Sequence, residues 1–298
     1  MARESLCVCV LVALAVALPA PAGTLATPGL HERTVTSFDG TTIRVLEGGA
    51  RTGRSLLFVP GWTMPAEIWA PQLERFALTH RVAALDPRGQ GGSEKPRDGY
   101  HPAARARDLK AVVDTLQLAP VVLIGWSMGV AEAVSYVDLF GTADLAGLVL
   151  VDGIAGTELD PVMLRGFIAM LGAMQRDRTG STQRFVRSMF RKPHDEAYLA
   201  ALEAASLRTP TDAAVAMIMG SMATDNRPVL GRVDRPTLIV VAPGPFLAES
   251  QAMQQVISSS RLELFPEAGH ALFVDEAERF NALLAEFLAS LPAPAAAP

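Results

Sequence analysis

Val121-Val122-Leu123-Ile124-Gly125-Trp126-Ser127-Met128-Gly129 decides the fold of this chain. Four apolar β-formers run straight into Gly-Trp-Ser-Met-Gly, and residues 130–139 continue with helical spacing, so the stretch reads as strand, sharp turn, helix. Glycines on both sides of Ser127 let the backbone turn without side-chain clashes. The serine hydroxyl then stands above a sheet edge with a helix N-terminus beneath it. A serine so placed is a candidate nucleophile, and its hydroxyl needs a neighbouring base to take the proton as it attacks. A Gly/Ser turn that merely ends a strand is the plainer alternative.

Outward from this segment the same rhythm repeats. Short apolar runs at 56–59, 82–85, 121–124, 148–151, 238–241 and 262–265 alternate mostly with helix-length stretches, the pattern of buried parallel strands. Ahead of them, the polar-alternating stretches 34–38 and 42–47 turn at Asp39-Gly40, a hairpin signal. Residues 102–118 have helical spacing, and 277–291 place Phe280, Leu283, Leu284, Phe287 and Leu288 on one stripe. The expected fold is α/β: a doubly wound, mostly parallel eight-stranded sheet with helices on both faces. Reactive groups should then lie on loops at the carboxyl ends of the strands.

One segment breaks the rhythm. Residues 153–232 hold no strand pattern, begin a helix at Asp160-Pro161 and carry Met163, Met170, Met174, Met189, Met217, Met219 and Met222. They read as a helical cap inserted after strand six, between core segments 30–152 and 233–291. The methionines suit either ordinary gap filling or an adaptable apolar wall over a site.

The 298 residues are half apolar, enough to bury a sizeable core, and 23–298 read as one domain. A formal net charge of −5 without a Lys/Arg cluster argues against a nucleic-acid partner. Residues 1–22 read as a signal peptide: Arg3 leads, 6–18 are continuously apolar, and Ala20-Pro21-Ala22 offers a small-residue cleavage site before Gly23. Export is therefore expected, with no stable membrane insertion after cleavage, since a span needs roughly twenty apolar residues. Both cysteines, Cys7 and Cys9, fall inside that segment. The mature chain would then have no thiol chemistry and no disulfide.

The base for Ser127 should come from the far end of the chain. Glu267-Ala268-Gly269-His270 sits just after the last predicted strand, with a helix following. Of the other four histidines, His31 and His80 flank strands, His101 precedes a helix and His194 lies in a charged stretch of the cap; each reads as a solvated surface residue.

Gly125 to Gly129, the loop Pro60-Gly61-Trp62, the run Asp86-Pro87-Arg88-Gly89-Gln90-Gly91-Gly92-Ser93 and Gly269-His270 together resemble an α/β-hydrolase. The resemblance covers nearly the whole mature chain and is greatest to the capped esterase and haloperoxidase-like serine hydrolases. It implies that the backbone amides of Trp62 and Met128 form an oxyanion hole. Many relatives have histidine where Pro60 stands, but the donor is a backbone amide two residues on. The resemblance also makes 86–93 a structural turn without a catalytic role.

The triad acid departs from the family pattern. Relatives generally carry an aspartate soon after the seventh strand, where this chain has Ala242-Pro243-Gly244-Pro245-Phe246. Glu249 could reach inward from the next helix. Asp152 ends the sixth strand in Leu150-Val151-Asp152-Gly153, a position that resembles the branch of the fold, including some haloalkane dehalogenases, with its acid after strand six. The order Ser127, Asp152, His270 also agrees with nucleophile, acid, base. Asp152 is the expected acid, though an aspartate at a strand end also serves as a helix cap. Asp225 reads as a residue bridging cap and core.

Trp126 is expected in the substrate pocket. No phosphate loop, HExxH or histidine cluster appears, so neither a cofactor nor a metal is expected. The expected reaction is hydrolysis of a small-molecule carboxylic ester with a small to medium apolar acyl group. Lactone hydrolysis or perhydrolysis would use the same machinery. A proline-iminopeptidase-like activity would need a carboxylate cluster in the cap, which Asp177, Asp195 and Glu196 do not clearly make. The missing acid after strand seven leaves a ligand-binding protein of weakened catalysis as a further alternative.

Overall fold

The computed structural model describes residues 29–156 and 161–292. The signal-peptide reading of 1–22, the cap helix start at Asp160 and the side chain of Met163 lie outside the described residues. Strands β1 (Leu30–Thr36) and β2 (Thr42–Gly49) form an antiparallel hairpin, closed by Ser37 N donating to Thr41 O at 2.8 Å. β1 starts and stops earlier than the expected 34–38. Only Val35 of it is buried, so backbone pairing rather than an apolar face sets its limits.

The remaining strands are β3 (Ser55–Val59), β4 (Arg81–Leu85), β5 (Val121–Trp126), β6 (Leu145–Val151), β7 (Thr237–Val241) and β8 (Ser260–Leu264). The eight strands run in the order β1-β2-β4-β3-β5-β6-β7-β8, and β3 to β8 are parallel. Period-2 alternation makes both faces apolar. Leu56, Phe58, Val122 and Ile124 face one side; Leu57, Val59, Val121 and Leu123 face the other.

Helices α1 (Ala70–Ala77) and α10 (Ala277–Ser290) cover the first face with Leu73, Phe76, Phe280 and Leu284. Helices α2 (Pro102–Thr115), α3 (Met128–Phe140) and α8 (Leu247–Val256) cover the second with Leu109, Val112, Val134, Val137 and Met253. α2 stops short of the expected 118, where Gln117 takes a positive φ of 53°. Between β6 and β7 lie, among the described residues, four α-helices, α4 (Pro161–Arg176), α5 (Arg178–Ser188), α6 (Glu196–Leu207) and α7 (Thr211–Met222), and a 3-10 turn at Arg227–Arg232. A short helix α9 (Leu272–Asp275) precedes α10.

After β3 the chain moves to β4 on one side, then returns to place β5 on the other. The loops that leave β3 and β5 therefore diverge at their carboxyl ends and leave a crevice, the usual ligand position in such sheets. Trp62 lies in the first loop and Ser127 at the tip of the second.

Candidate active site

Ser127 has φ 57° and ψ −117°, a conformation that L side chains rarely adopt. The turn is tight: a Cβ at Gly125 would collide with the carbonyl of Gly129, and one at Gly61 would lie 2.9 Å from Ser127 Cβ. Glycine at these points lets β5 turn into α3 and lets the β3 loop approach the serine. The held conformation, of order 1–3 kcal/mol above the relaxed backbone, lifts Ser127 Oγ clear of the sheet.

His270 Nε2 lies 3.0 Å from Ser127 Oγ, and His270 Nδ1 lies 2.7 Å from Asp152 Oδ2. The three side chains thus make one hydrogen-bonded chain from three separate strand ends. Asp152 is buried, and its Oδ1 accepts the amide of Ala242 at 2.9 Å. That bond leaves Oδ2 for the imidazole. A carboxylate there sets the tautomer with Nδ1 protonated and Nε2 free to accept the serine proton. Among the described residues Glu249 makes no hydrogen bond or ion pair with His270; it borders a separate small cavity beside Arg227 and Leu230.

The backbone amides of Trp62 and Met128 have no hydrogen-bond acceptor among the described residues, and both residues line the cavity above Ser127. Their loop is braced by Gln90. Gln90 Oε1 accepts Thr63 N at 2.9 Å, and Nε2 donates to Gly61 O at 3.1 Å and Met64 O at 3.0 Å. Buried Arg105 donates to Gln90 Oε1 at 3.3 Å and reaches Met128 Sδ at 2.8 Å, while pairing with buried Glu132 at 2.9 Å. From the other side the Trp62 indole donates to Ala214 O of α7 at 2.9 Å, and Ser206 Oγ to Thr63 Oγ1 at 2.8 Å. Asp86 fixes the turn at 86–93 by accepting from Ala66 N, Gly92 N and Arg44.

Trp126 is not in the cavity wall. It shares a face of β5 with Val122 and Ile124, so its ring points into the core, 5.1 Å from Phe273. Its Nε1 donates to the backbone oxygen of His270 at 2.9 Å, which makes it a support under the imidazole loop. His194 is not a solvated residue either. Its Nε2 lies 2.8 Å from Asp275 Oδ1, and buried Asp275 also accepts from Gly269 N and Arg191 N. Asp275 so ties the cap to the residue before His270. Asp225 pairs locally with Arg227, whereas the neighbouring Asn226 reaches the core through Ala131 and Ser135 and also bonds Ala155.

The cavity above Ser127 measures about 490 Å³. Phe167, Met170, Met189, Ile218, Met222 and Phe246 form much of its wall. Among the described residues Asp152 is its only carboxylate, and no lysine or arginine lines it. Asp177 and Asp195 cap the N-termini of α5 and α6, and Glu196 pairs with Arg187.

The sequence profile of the alpha/beta hydrolase family matches residues 56–283. The chain belongs to this family. Among relatives of this α/β-hydrolase, the AB hydrolase superfamily protein YisY of Bacillus subtilis is 30% identical over 253 residues, covering 79% of this chain and 91% of that protein. The non-heme haloperoxidase of Rhodococcus erythropolis is 27% identical, over 86% of this chain and 99% of that one. Among solved structures, the esterase EaEST of Exiguobacterium antarcticum superposes with a TM-score of 0.82 at 25% identity, over 87% of this α/β-hydrolase and 100% of that chain. With esterases among its relatives, the protein is a hydrolase.

Proposed function

We propose that this hydrolase cleaves carboxylic esters with small to medium apolar acyl groups through an acyl-enzyme on Ser127. The observation that carries the reading is the Ser127–His270–Asp152 chain, at 3.0 and 2.7 Å, opening into an apolar cavity. Ser127 Oγ attacks the ester carbonyl while His270 Nε2 takes its proton. Asp152 stabilises the imidazolium that results. The amides of Trp62 and Met128 receive the oxyanion, a contribution of about 3 kcal/mol per donor. His270 then gives its proton to the leaving alkoxide, the C–O bond breaks, and the acyl group remains on Ser127. Water, deprotonated by His270, releases the acid and restores the serine.

The same acyl-enzyme opened by hydrogen peroxide would yield a peracid, a second reading favoured by the haloperoxidase relative. Peptidase activity on a free amino terminus is disfavoured, because Asp177, Asp195 and Glu196 are engaged away from the cavity. The proposal includes export, with cleavage before Gly23, which N-terminal sequencing of the chain recovered outside the cytoplasm would test.

Hydrolysis of p-nitrophenyl esters of increasing acyl length, with Ser127→Ala beside the natural chain, tests the reaction. Turnover on short and medium chains that vanishes in the variant is the expected result. Turnover that survives in Ser127→Ala would reject it.

A further inference from the structure

Helix α5 turns one face inward. Arg178, Ser181, Thr182, Phe185 and Ser188 recur at helical spacing on that face, and with Arg184 they line a second cavity of about 340 Å³. Trp62, Met170, Phe185 and Ser188 border both this chamber and the cavity above Ser127, so the two adjoin. The lining changes along the helix. Phe185 and Ser188 lie by the reacting centre, whereas Arg178 stands about 10 Å from Phe185 along the axis, at ~1.5 Å per residue.

Arg178 is half-buried. Its Nη1 donates to Thr182 Oγ1 at 2.9 Å and lies 3.5 Å from Met174 Sδ; its Nη2 donates to Ser206 O at 3.1 Å and Thr209 O at 3.3 Å. Its Nε is buried without a hydrogen-bond partner among the described residues. These contacts fix the guanidinium plane and include no carboxylate among the described residues. Burial accordingly pulls its pKa below the usual arginine range. Arg44, Arg88 and Arg105 are different: each faces at least one carboxylate. Arg184 adds a second, exposed cation at the chamber, 3.8 Å from Asp177. Among the described residues no aspartate or glutamate lines the chamber. The guanidinium therefore brings a positive charge, with no carboxylate beside it among the described residues, to the wall of a chamber that adjoins the cavity above Ser127.

We propose that this chamber is an anion subsite that binds a carboxylate at the far end of the substrate. The ester carbonyl then sits at Ser127, and the apolar middle lies against Met170 and Phe185. The inference rests on the ester hydrolysis proposed above and adds the class of substrate: esters with an acid tip, on either the acyl or the alcohol side.

The test uses the full mature chain carrying Ser127→Ala, titrated calorimetrically with monomethyl suberate, with the acetyl ester of an ω-hydroxy acid, and with neutral esters of equal length. An acid-tipped ester should bind at least about tenfold more tightly than its neutral counterpart, the scale of one charge-assisted contact. Which of the two acid-tipped esters gains tells the side that carries the acid. The advantage should disappear in Arg178→Gln and return in part in Arg178→Lys, with neutral-ester affinity unchanged. Equal affinity for charged and neutral esters overturns the subsite, whether or not Arg178→Gln folds, and so does an advantage that survives Arg178→Gln. Binding is read in a chain that does not turn over, so the two proposals fail separately. Neutral-ester turnover by the natural chain without acid-tip preference rejects only the subsite; acid-tip binding without turnover of any ester rejects only the hydrolysis.

Discussion

Gln90 Oε1 accepts the amide of Thr63 at 2.9 Å, the residue directly after Trp62, whose own amide is the proposed oxyanion donor. Its side-chain amide also holds the carbonyls of Gly61 and Met64, so one buried side chain satisfies three backbone groups of the loop. Gln90→Leu removes all three bonds and lets the Trp62 amide drift. The expected result is a fall in kcat of about 10- to 100-fold with KM little changed, because misplacement by about 1 Å can cost that much. Steady-state kinetics on a p-nitrophenyl ester, with a circular-dichroism melt as the folding control, checks it. Unchanged kcat would mean that the loop holds without Gln90.

Asp152→Asn keeps an acceptor for Ala242 N but turns an amide N–H toward His270 Nδ1. The imidazole then adopts the tautomer whose Nε2 carries a proton and cannot accept another. Turnover should fall about ten thousandfold with the melting temperature nearly unchanged. Glu249→Gln should leave turnover within about twofold, because Glu249 borders a separate cavity and makes no hydrogen bond to His270 among the described residues. A reversed ranking of the two variants would move the acid to Glu249.

Asp275→Ala should act on stability first. It leaves the amides of Gly269 and Arg191 and the ring of His194 without their acceptor. The donors are only partly buried, so each costs less than the ~1–3 kcal/mol of a fully buried unpaired donor, and a lowering of the melting temperature by about 5 °C is expected. Calorimetry reads it directly. A smaller loss of turnover than in Asp152→Asn should accompany it, since Asp275 acts on His270 only through Gly269.

Acid should erode the contact between Asp39 and Arg88. Burial raises the Asp39 pKa, but hydrogen bonds from Arg88 and Thr41 outweigh it and hold the carboxyl well below its ordinary value. A carboxyl depressed in the folded state stabilises it above the unfolded pKa of about 3.9, and the contribution disappears as pH falls through the folded value. The natural chain should therefore melt above Asp39→Asn at neutral pH, and the gap should narrow steadily below about pH 4. Melting curves of both chains across pH 2–7 test it; a gap independent of pH would contradict the assignment.

Much of this architecture is written in local patterns. The uninterrupted apolar runs Leu56 to Val59 and Val121 to Ile124 specify strands buried on both faces, and the glycines around Ser127 specify the turn that exposes it. Asp152 and His270 are legible because each follows a strand whose end must lie near the same edge. Trp126 misleads because it neighbours Ser127 in the motif; counting by two from Val122 and Ile124 places its ring in the core instead. Gln90, Asp275 and Arg105 carry no local signature. Their partners are remote in the sequence or lie in other elements, and only the folded chain brings them together. The same holds for Arg178, whose carbonyl-bound guanidinium is evident only when its surroundings are known.

The most direct test of the central claim is covalent. An aryl alkylphosphonate, which traps a serine nucleophile at the tetrahedral stage, is reacted with the natural chain and the adduct is mapped by peptide mass spectrometry. A single phosphonylated residue, Ser127, is expected, with labelling abolished in Ser127→Ala and strongly slowed in His270→Ala. Labelling at another residue, or ester turnover that persists while Ser127 stays unmodified, would contradict it.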